Sequence, residues 1–247
     1  MKRFNDSATE YMESNGLKFL RFSIFNKYSQ TLTHCFSTRE GGVSTGKYSS
    51  LNLSFNRDDN PENVRENFRI LCNATGIRYE NLVLSDQVHG SRVRTVDEGD
   101  RGKGIIKESD IKGVDALVTS SRQVALVTFY ADCVPVLLFD ARQKVIGMAH
   151  SGWRGTLRQI ANETVRVMTE SYGCKKEDII AAIGPSIGKC CFETGNEVYD
   201  SFVKTMPWSG QYCFKSHGDK WFIDLKSIIK NALLMDGIKD YNISVSS

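Results

Sequence analysis

One α/β domain built on a mixed sheet is the fold class the sequence predicts, and three observations predict it. Forty per cent of the 247 residues are hydrophobic, enough for the core of one large domain or two small ones. Three apolar runs at 123–130, 134–139 and 144–150 are rich in Val, Leu and Ile without strict alternation, the pattern of strands buried on both faces. Amphipathic helical patterns lie before and after them, with no linker, repeat or low-complexity tract between.

Residues 1–16 read as a loosely ordered lead-in. Strands are expected at 17–25 and 32–38, which are rich in Phe and β-branched residues. Residues 39–60 form a Gly/Ser/Asn loop long enough to be functional or mobile. A helix follows: Pro61 suits its first turn, Val64, Phe68, Leu71 and Cys72 share a face, and Gly76 stops it. Strands at 82–88 and 92–96 flank a turn at His89–Gly90, and 99–113 is a Gly/Lys-rich loop. After the three apolar runs, 155–172 reads as one helix with Leu157, Ile160, Ala161, Val165, Met168 and Tyr172 inward and Gly173 as its stop. A strand at 179–184, a short helix at 196–205, a strand pair within 211–223 and a helix at 225–236 capped by Asp224 complete the pattern. The chain ends in the strand-like YNISVSS.

Composition excludes several function classes. Thirty-two basic against 29 acidic residues give +3, and the bases are scattered, so neither nucleic acid nor a membrane surface is expected as a partner. No run approaches the ~18 apolar residues of a membrane span, and the first residues are polar where a signal peptide is apolar. Seven cysteines without a secretory signal imply reduced thiols and a cytoplasmic setting.

The reactive side chains sit at predicted strand ends. His89 follows LVLSDQV, Cys133 lies in YADCVP and His150 closes KVIGMA. Two imidazoles and a thiolate are three good zinc ligands and leave a fourth position open, but spacing alone does not settle it. Each taken singly reads rather as structural, Cys133 as a buried core thiol and the histidines as hydrogen-bonded residues. Arg154, in HSGWRGTLRQ, stands in a Gly-bounded turn opening a helix, where free N–H groups and a guanidinium suit a phosphate-sized anion; a structural ion pair is an equal alternative. Ser37 and Arg39 of FSTREGGVSTG could present a similar anion site, but Gly-rich loops are common and by itself this one reads rather as a solvated turn. Asp86, Asp115, Asp132 and Glu193 are acid/base candidates by position, and His34 and His217 read as structural. Cys190 and Cys191 would point to opposite faces of an extended chain and read as core thiols.

Taken together, HCFSTREGGVS, SLNL, QVHG, DALVT, ADCVPVLLFD, AHSGWRG and IGPSIGKCCFE resemble, in order over about residues 34–195, the signatures of the YfiH/YlmD-type family. That family was long labelled polyphenol oxidase or laccase and is now described as purine nucleoside phosphorylase with adenosine deaminase activity. The resemblance implies an α/β/β/α sandwich and one Zn2+ per chain at His89, Cys133 and His150. It also implies phosphorolysis of adenosine, inosine and methylthioadenosine and deamination of adenosine; a peptidoglycan-editing role is attached to some bacterial members. Members commonly have Ala where this chain has Ser151. They also continue into a Cys-Thr segment and an FSYRR-like segment, and nothing corresponding follows YNISVSS. The expected single catalytic domain, 17–247, therefore lacks that C-terminal segment, being either short or cut there.

Three functions follow. The first is a zinc enzyme in which phosphate held by Arg154 attacks the ribose of a purine nucleoside. The second is a cysteine hydrolase with Cys133 as nucleophile and His150 as base. The third is a binding module that keeps the site only for structure. A multicopper oxidase is excluded by arithmetic, since four histidines cannot supply its copper ligands; copper is expected only as an adventitious occupant.

Overall fold

The computed structural model describes residues 6–247. Its strands run β1 Thr9–Ser14, β2 Leu17–Phe22, β3 Phe36–Ser37, β4 Leu82–Leu84, β5 Val93–Thr95, β6 Ala116–Thr119 and β7 Ala125–Val127. They continue with β8 Val134–Asp140, β9 Val145–Ser151, β10 Ile179–Ile183, β11 Glu193–Gly195, β12 Cys213–Lys215, β13 Lys220–Ile223 and β14 Ile243–Val245. The helices are α1 Pro61–Thr75, α2 Trp153–Leu157, α3 Ile160–Tyr172, α4 Asn196–Thr205 and α5 Leu225–Asp236.

A six-stranded mixed sheet, β14-β10-β8-β9-β6-β5, is the centre of the molecule. Alternation along its strands splits the core. Val134, Val136 and Leu138 of β8 and Ile179, Ala181 and Ile183 of β10 pack with Ile160, Val165 and Met168 of α3 and Ile228 and Leu233 of α5. Leu137, Phe139, Ile180 and Ala182 face the other way, onto Phe22 and Phe25. On that second side β4 and β7 pair in parallel. Val83 of β4 packs with Leu117 of β6, while Leu82 and Leu84 pack with Val64, Phe68 and Cys72 of α1. The layers are thus helix, sheet, sheet, helix, as the family resemblance implies. β8 is buried along its whole length, which is why its sequence shows no polar alternation.

Helix α1 begins and ends as its sequence requires: the Asn60 side chain accepts from the Glu62 N–H, Pro61 opens the first turn, and Gly76 takes a left-handed φ of 74°. Other expectations are corrected. The lead-in is ordered from Thr9, since β1 pairs antiparallel with β2 over six residues; residues 1–5 lie outside the described residues. The strand expected at 17–25 stops at Phe22 and turns into a 3-10 helix, Ser23–Tyr28, and that at 32–38 shrinks to β3. DALVT contains β6, which no apolar run of strand length announces. The helix expected over 155–172 is two helices, broken at Gln159, whose φ of 55° is left-handed.

Candidate metal centre and adjoining cavity

The three sequence-predicted ligands meet. His89, Cys133 and His150 bring one donor atom each to within 4.8 Å of one another. The imidazole rings of His89 and His150 lie 4.9 Å apart, and Cys133 Sγ is 3.8 Å from His89 Nδ1. Tetrahedral zinc with Zn–S of about 2.3 Å and Zn–N of about 2.0 Å sets such donors about 3.5 Å apart, so the spacing fits.

Each ligand is held by a different device. His150 is the last but one residue of β9, on the face of Ile146 and Met148, away from the helices, and is 4% exposed. Its Nδ1 is 2.9 Å from Asp115 Oδ1, and its backbone N–H donates to the Asp115 carbonyl at 2.8 Å, which leaves Nε2 free toward the cluster. His89 sits on the exposed turn with a left-handed φ of 58°. That turn is tied to the same carboxylate: Asp115 accepts from the N–H groups of Val88 at 3.2 Å, His89 at 2.9 Å and Gly90 at 2.8 Å. Cys133 directly precedes β8. Its loop is joined to the His89 loop by Gln87, whose amide donates to the Phe129 carbonyl and accepts from the Phe129 N–H, both at 2.7 Å.

Asp115 is fully buried. Burial alone would push its carboxyl up, but the hydrogen bonds from His150 and from the Gly90 and Val88 N–H groups reverse this and hold it below the usual carboxylate range. For His150, burial would lower the imidazole; hydrogen bonding to Asp115 and Cys133 outweighs it and raises the group to about 9.

Two residues whose structural part the sequence does not reveal complete the site. A Cβ at Gly152 would lie 2.9 Å from both Cys133 Sγ and His89 Nδ1, so only glycine leaves the ligands room. Asp115, named only as an acid/base candidate, is the shared support of both histidines. The motifs AHSGWRG and DALVT were the signals, but nothing local to them says why Gly or Asp is needed.

The remaining candidates separate. Arg154 is exposed in α2 with its guanidinium 4.2 Å from the centre of the Trp153 ring. Arg39 donates to the Ser49 carbonyl at 2.9 Å. Ser37 lies in β3 beside Phe36, whose ring packs on Tyr130; Tyr130 in turn borders His150. Asp86 accepts from the Gly113 N–H and Glu193 binds Ser216 and Lys220, both structural tasks. Asp132 is exposed next to Cys133 and lines a cavity of about 400 Å³ with Phe36, Pro185, Ser186, Ile187 and Cys191. Ser186 Oγ has no hydrogen-bond partner among the described residues. His34 accepts from the Phe22 N–H at 2.8 Å and His217 is exposed, so only two of the four imidazoles reach the cluster. Cys190 and Cys191 are not core thiols: they occupy an exposed turn, because the Cys191 N–H folds back to the Gly188 carbonyl.

Among the described residues no helix is long and apolar enough to cross a membrane. The chain is 33% identical to the purine nucleoside phosphorylase YlmD of Bacillus subtilis over 223 residues, 90% of this chain and 80% of that one. It is 34% identical to adenosine deaminase RL5 of an unknown prokaryotic organism, over 84% of this chain and 80% of that one. The crystal structure of YlmD from Geobacillus stearothermophilus superposes with a TM-score of 0.88 at 31% identity, covering 96% of this chain and 87% of that one. The family model described as multi-copper polyphenol oxidoreductase laccase matches residues 33–247. With a match over that span and relatives of this coverage, the chain belongs to the YfiH family, the one that carries the laccase description.

Proposed function

We propose that this chain is a zinc-dependent purine nucleoside phosphorylase, acting on adenosine, inosine and methylthioadenosine, that also deaminates adenosine. The observation that carries the reading is the convergence of His89, Cys133 and His150 beside an open cavity; the names of the relatives support the reaction class. Zinc, when bound by these three side chains, supplies Lewis acidity at an open fourth position. Copper clusters need more imidazoles than the two present here.

The chain's own residues would do the rest. Phe36 offers an aromatic wall to a purine and Ser186 an unused hydroxyl. Asp132, exposed at the cavity next to Cys133, is placed to move a proton. Arg154 would hold the attacking phosphate, since its guanidinium is exposed, whereas that of Arg39 is already hydrogen-bonded to Ser49. Ser37 would assist from the strand beside the cavity.

Arg154→Ala is expected to raise the phosphate KM and lower phosphorolysis roughly 10- to 150-fold, the loss of a charge-assisted pair worth about 1.5–3 kcal/mol. Ribose 1-phosphate release at varied phosphate measures it; an unchanged phosphate dependence removes Arg154 from the mechanism. Metal-loaded protein that forms neither ribose 1-phosphate nor inosine from adenosine would overturn the assignment.

A second reading is favoured by one observation: Asp115 binds His150 Nδ1, and Cys133 Sγ lies within 4.8 Å of the donor atoms of both histidines, a carboxylate, imidazole and thiol grouped as in a cysteine hydrolase. The two readings differ in thiol reactivity. Under the zinc reading, alkylation of Cys133 is slow until a chelator removes the metal. Metal-free protein as purified, with Cys133 rapidly alkylated, would favour the hydrolase.

A further inference from the structure

Cys190 and Cys191 have no part in the His89–Cys133–His150 cluster. Their turn is closed by the Cys191 and Phe192 N–H groups, both donating to the Gly188 carbonyl at 2.9 and 3.0 Å. This sets the two thiols side by side, with Sγ atoms 3.0 Å apart, and both residues are exposed. Hydrogen bonding to Cys190 holds the Cys191 thiol up, whereas in the other thiols outside the cluster burial is the main cause. Burial pushes Cys35 and Cys174 up to about 12, and Cys72 and Cys213 up to about 11, so they hold little thiolate at neutral pH. Cys133 faces the imidazoles. The turn is also coupled to the cavity: Cys191 lines it, and the Ile187 N–H of the same loop donates to the Asp132 carbonyl at 2.9 Å.

We propose that Cys190 and Cys191 are a peroxide-sensitive dithiol that closes to a vicinal disulfide in the wall of the cavity beside Cys133. The co-reactant is a hydroperoxide. A thiolate sulfur of the pair attacks one peroxide oxygen, the O–O bond breaks, and the leaving oxygen takes a proton, as water when the oxidant is hydrogen peroxide. The neighbouring sulfur then attacks the resulting sulfenic sulfur. The S–S bond forms, the S–O bond breaks, and hydroxide leaves with the second thiol's proton as water. Two thiols are oxidised by two electrons and the peroxide is reduced by two. Closure moves the sulfurs from 3.0 Å to about 2.05 Å, and so shifts the Cys191 side chain in the cavity wall. The proposal holds whatever the cavity binds.

The test uses the full chain, treated with hydrogen peroxide, capped with N-ethylmaleimide and digested with trypsin. Cleavage after Lys189 and Lys204 yields a peptide, Cys190–Lys204, that carries these two cysteines and no other. The expected peptide is free of maleimide and lighter by about 2 Da than its reduced form, and it takes two maleimides after a dithiol reductant. In Cys190→Ser and Cys191→Ser proteins the 2 Da loss should vanish; both positions are exposed, so folding is not at stake. A wild-type peptide that keeps two maleimides after peroxide, gains oxygen without losing hydrogen, or pairs with another chain would overturn the proposal.

Discussion

Asp115 shows how much one buried carboxylate can organise. It accepts N–H groups from the His89 turn and bonds His150, so two ligands from distant parts of the chain share one support. Groups of this kind commonly set metal affinity by about 10- to 100-fold. Asp115→Asn keeps the shape but turns an amide group toward N–H donors, so under the metal-enzyme reading proposed above metal affinity should fall by about that factor while the fold persists. Competition against a chromogenic chelator measures this, with far-UV circular dichroism as the control; unchanged affinity would reduce Asp115 to a fold residue. Gly152→Ala makes a sharper demand, since its new methyl would sit 2.9 Å from Cys133 Sγ and His89 Nδ1. Metal content near zero in a folded Gly152→Ala protein is expected, and full occupancy would show that the ligands can move aside.

At the scale of elements, the break between α2 and α3 is the informative departure. The Gln159 N–H donates to the Thr156 carbonyl and closes α2, while the Gln159 carbonyl accepts the Glu163 N–H and starts α3. The break lets α2 pack against the His89 turn, where a Cβ at Gly155 would meet the Gly90 carbonyl at 3.3 Å. Leu157-Arg158-Gln159-Ile160 contains neither Gly nor Pro, so the helical periodicity runs through it unmarked. A non-glycine residue in the left-handed region is strained, and glycine relieves the strain at an entropic cost. Gln159→Gly is therefore expected to stabilise the protein by about 0.5–1 kcal/mol, read from urea unfolding. A loss of stability would mean that the Gln159 side chain contributes more than its backbone costs.

At the scale of the molecule, the layers meet around His34. Its Nε2 accepts from the Phe22 N–H, and its ring stacks on Phe22 and meets Phe25 edge-on. Phe25 in turn packs on Phe139 of the central sheet. Burial, and secondarily the charge of Arg21, depress this imidazole from 6.5 to about 4. The unfolded chain takes the proton first, so the stability tied to a neutral His34 is intact above about pH 6.5 and is lost as pH falls toward about 4. The loss amounts to at most about 3 kcal/mol. Urea midpoints at pH 7.5 and 5 should fall more steeply for the wild type than for His34→Gln; equal slopes would refute the assignment.

The sequence alone determined what depends on neighbours along the chain. Pro61 and Gly76 bound α1 because caps are local, and the unbroken Val/Leu run of β8 reports burial on two faces. His89, Cys133 and His150 were legible as a candidate ligand set only jointly, from residue type, strand-end position and the family motifs around them, and the fold brings their donor atoms together. Tertiary structure decided whatever depends on approach through space. It made a strand of Thr9–Ser14 by pairing it with β2, although that stretch has no apolar run of its own. It gave Asp115 two histidines to hold and Gly152 two ligand atoms to avoid. It also turned Cys190 and Cys191 side by side, where an extended chain would have set them apart. Side-chain chemistry is written residue by residue, but contacts between residues far apart in sequence arise only when packed layers bring them within a few ångströms of one another.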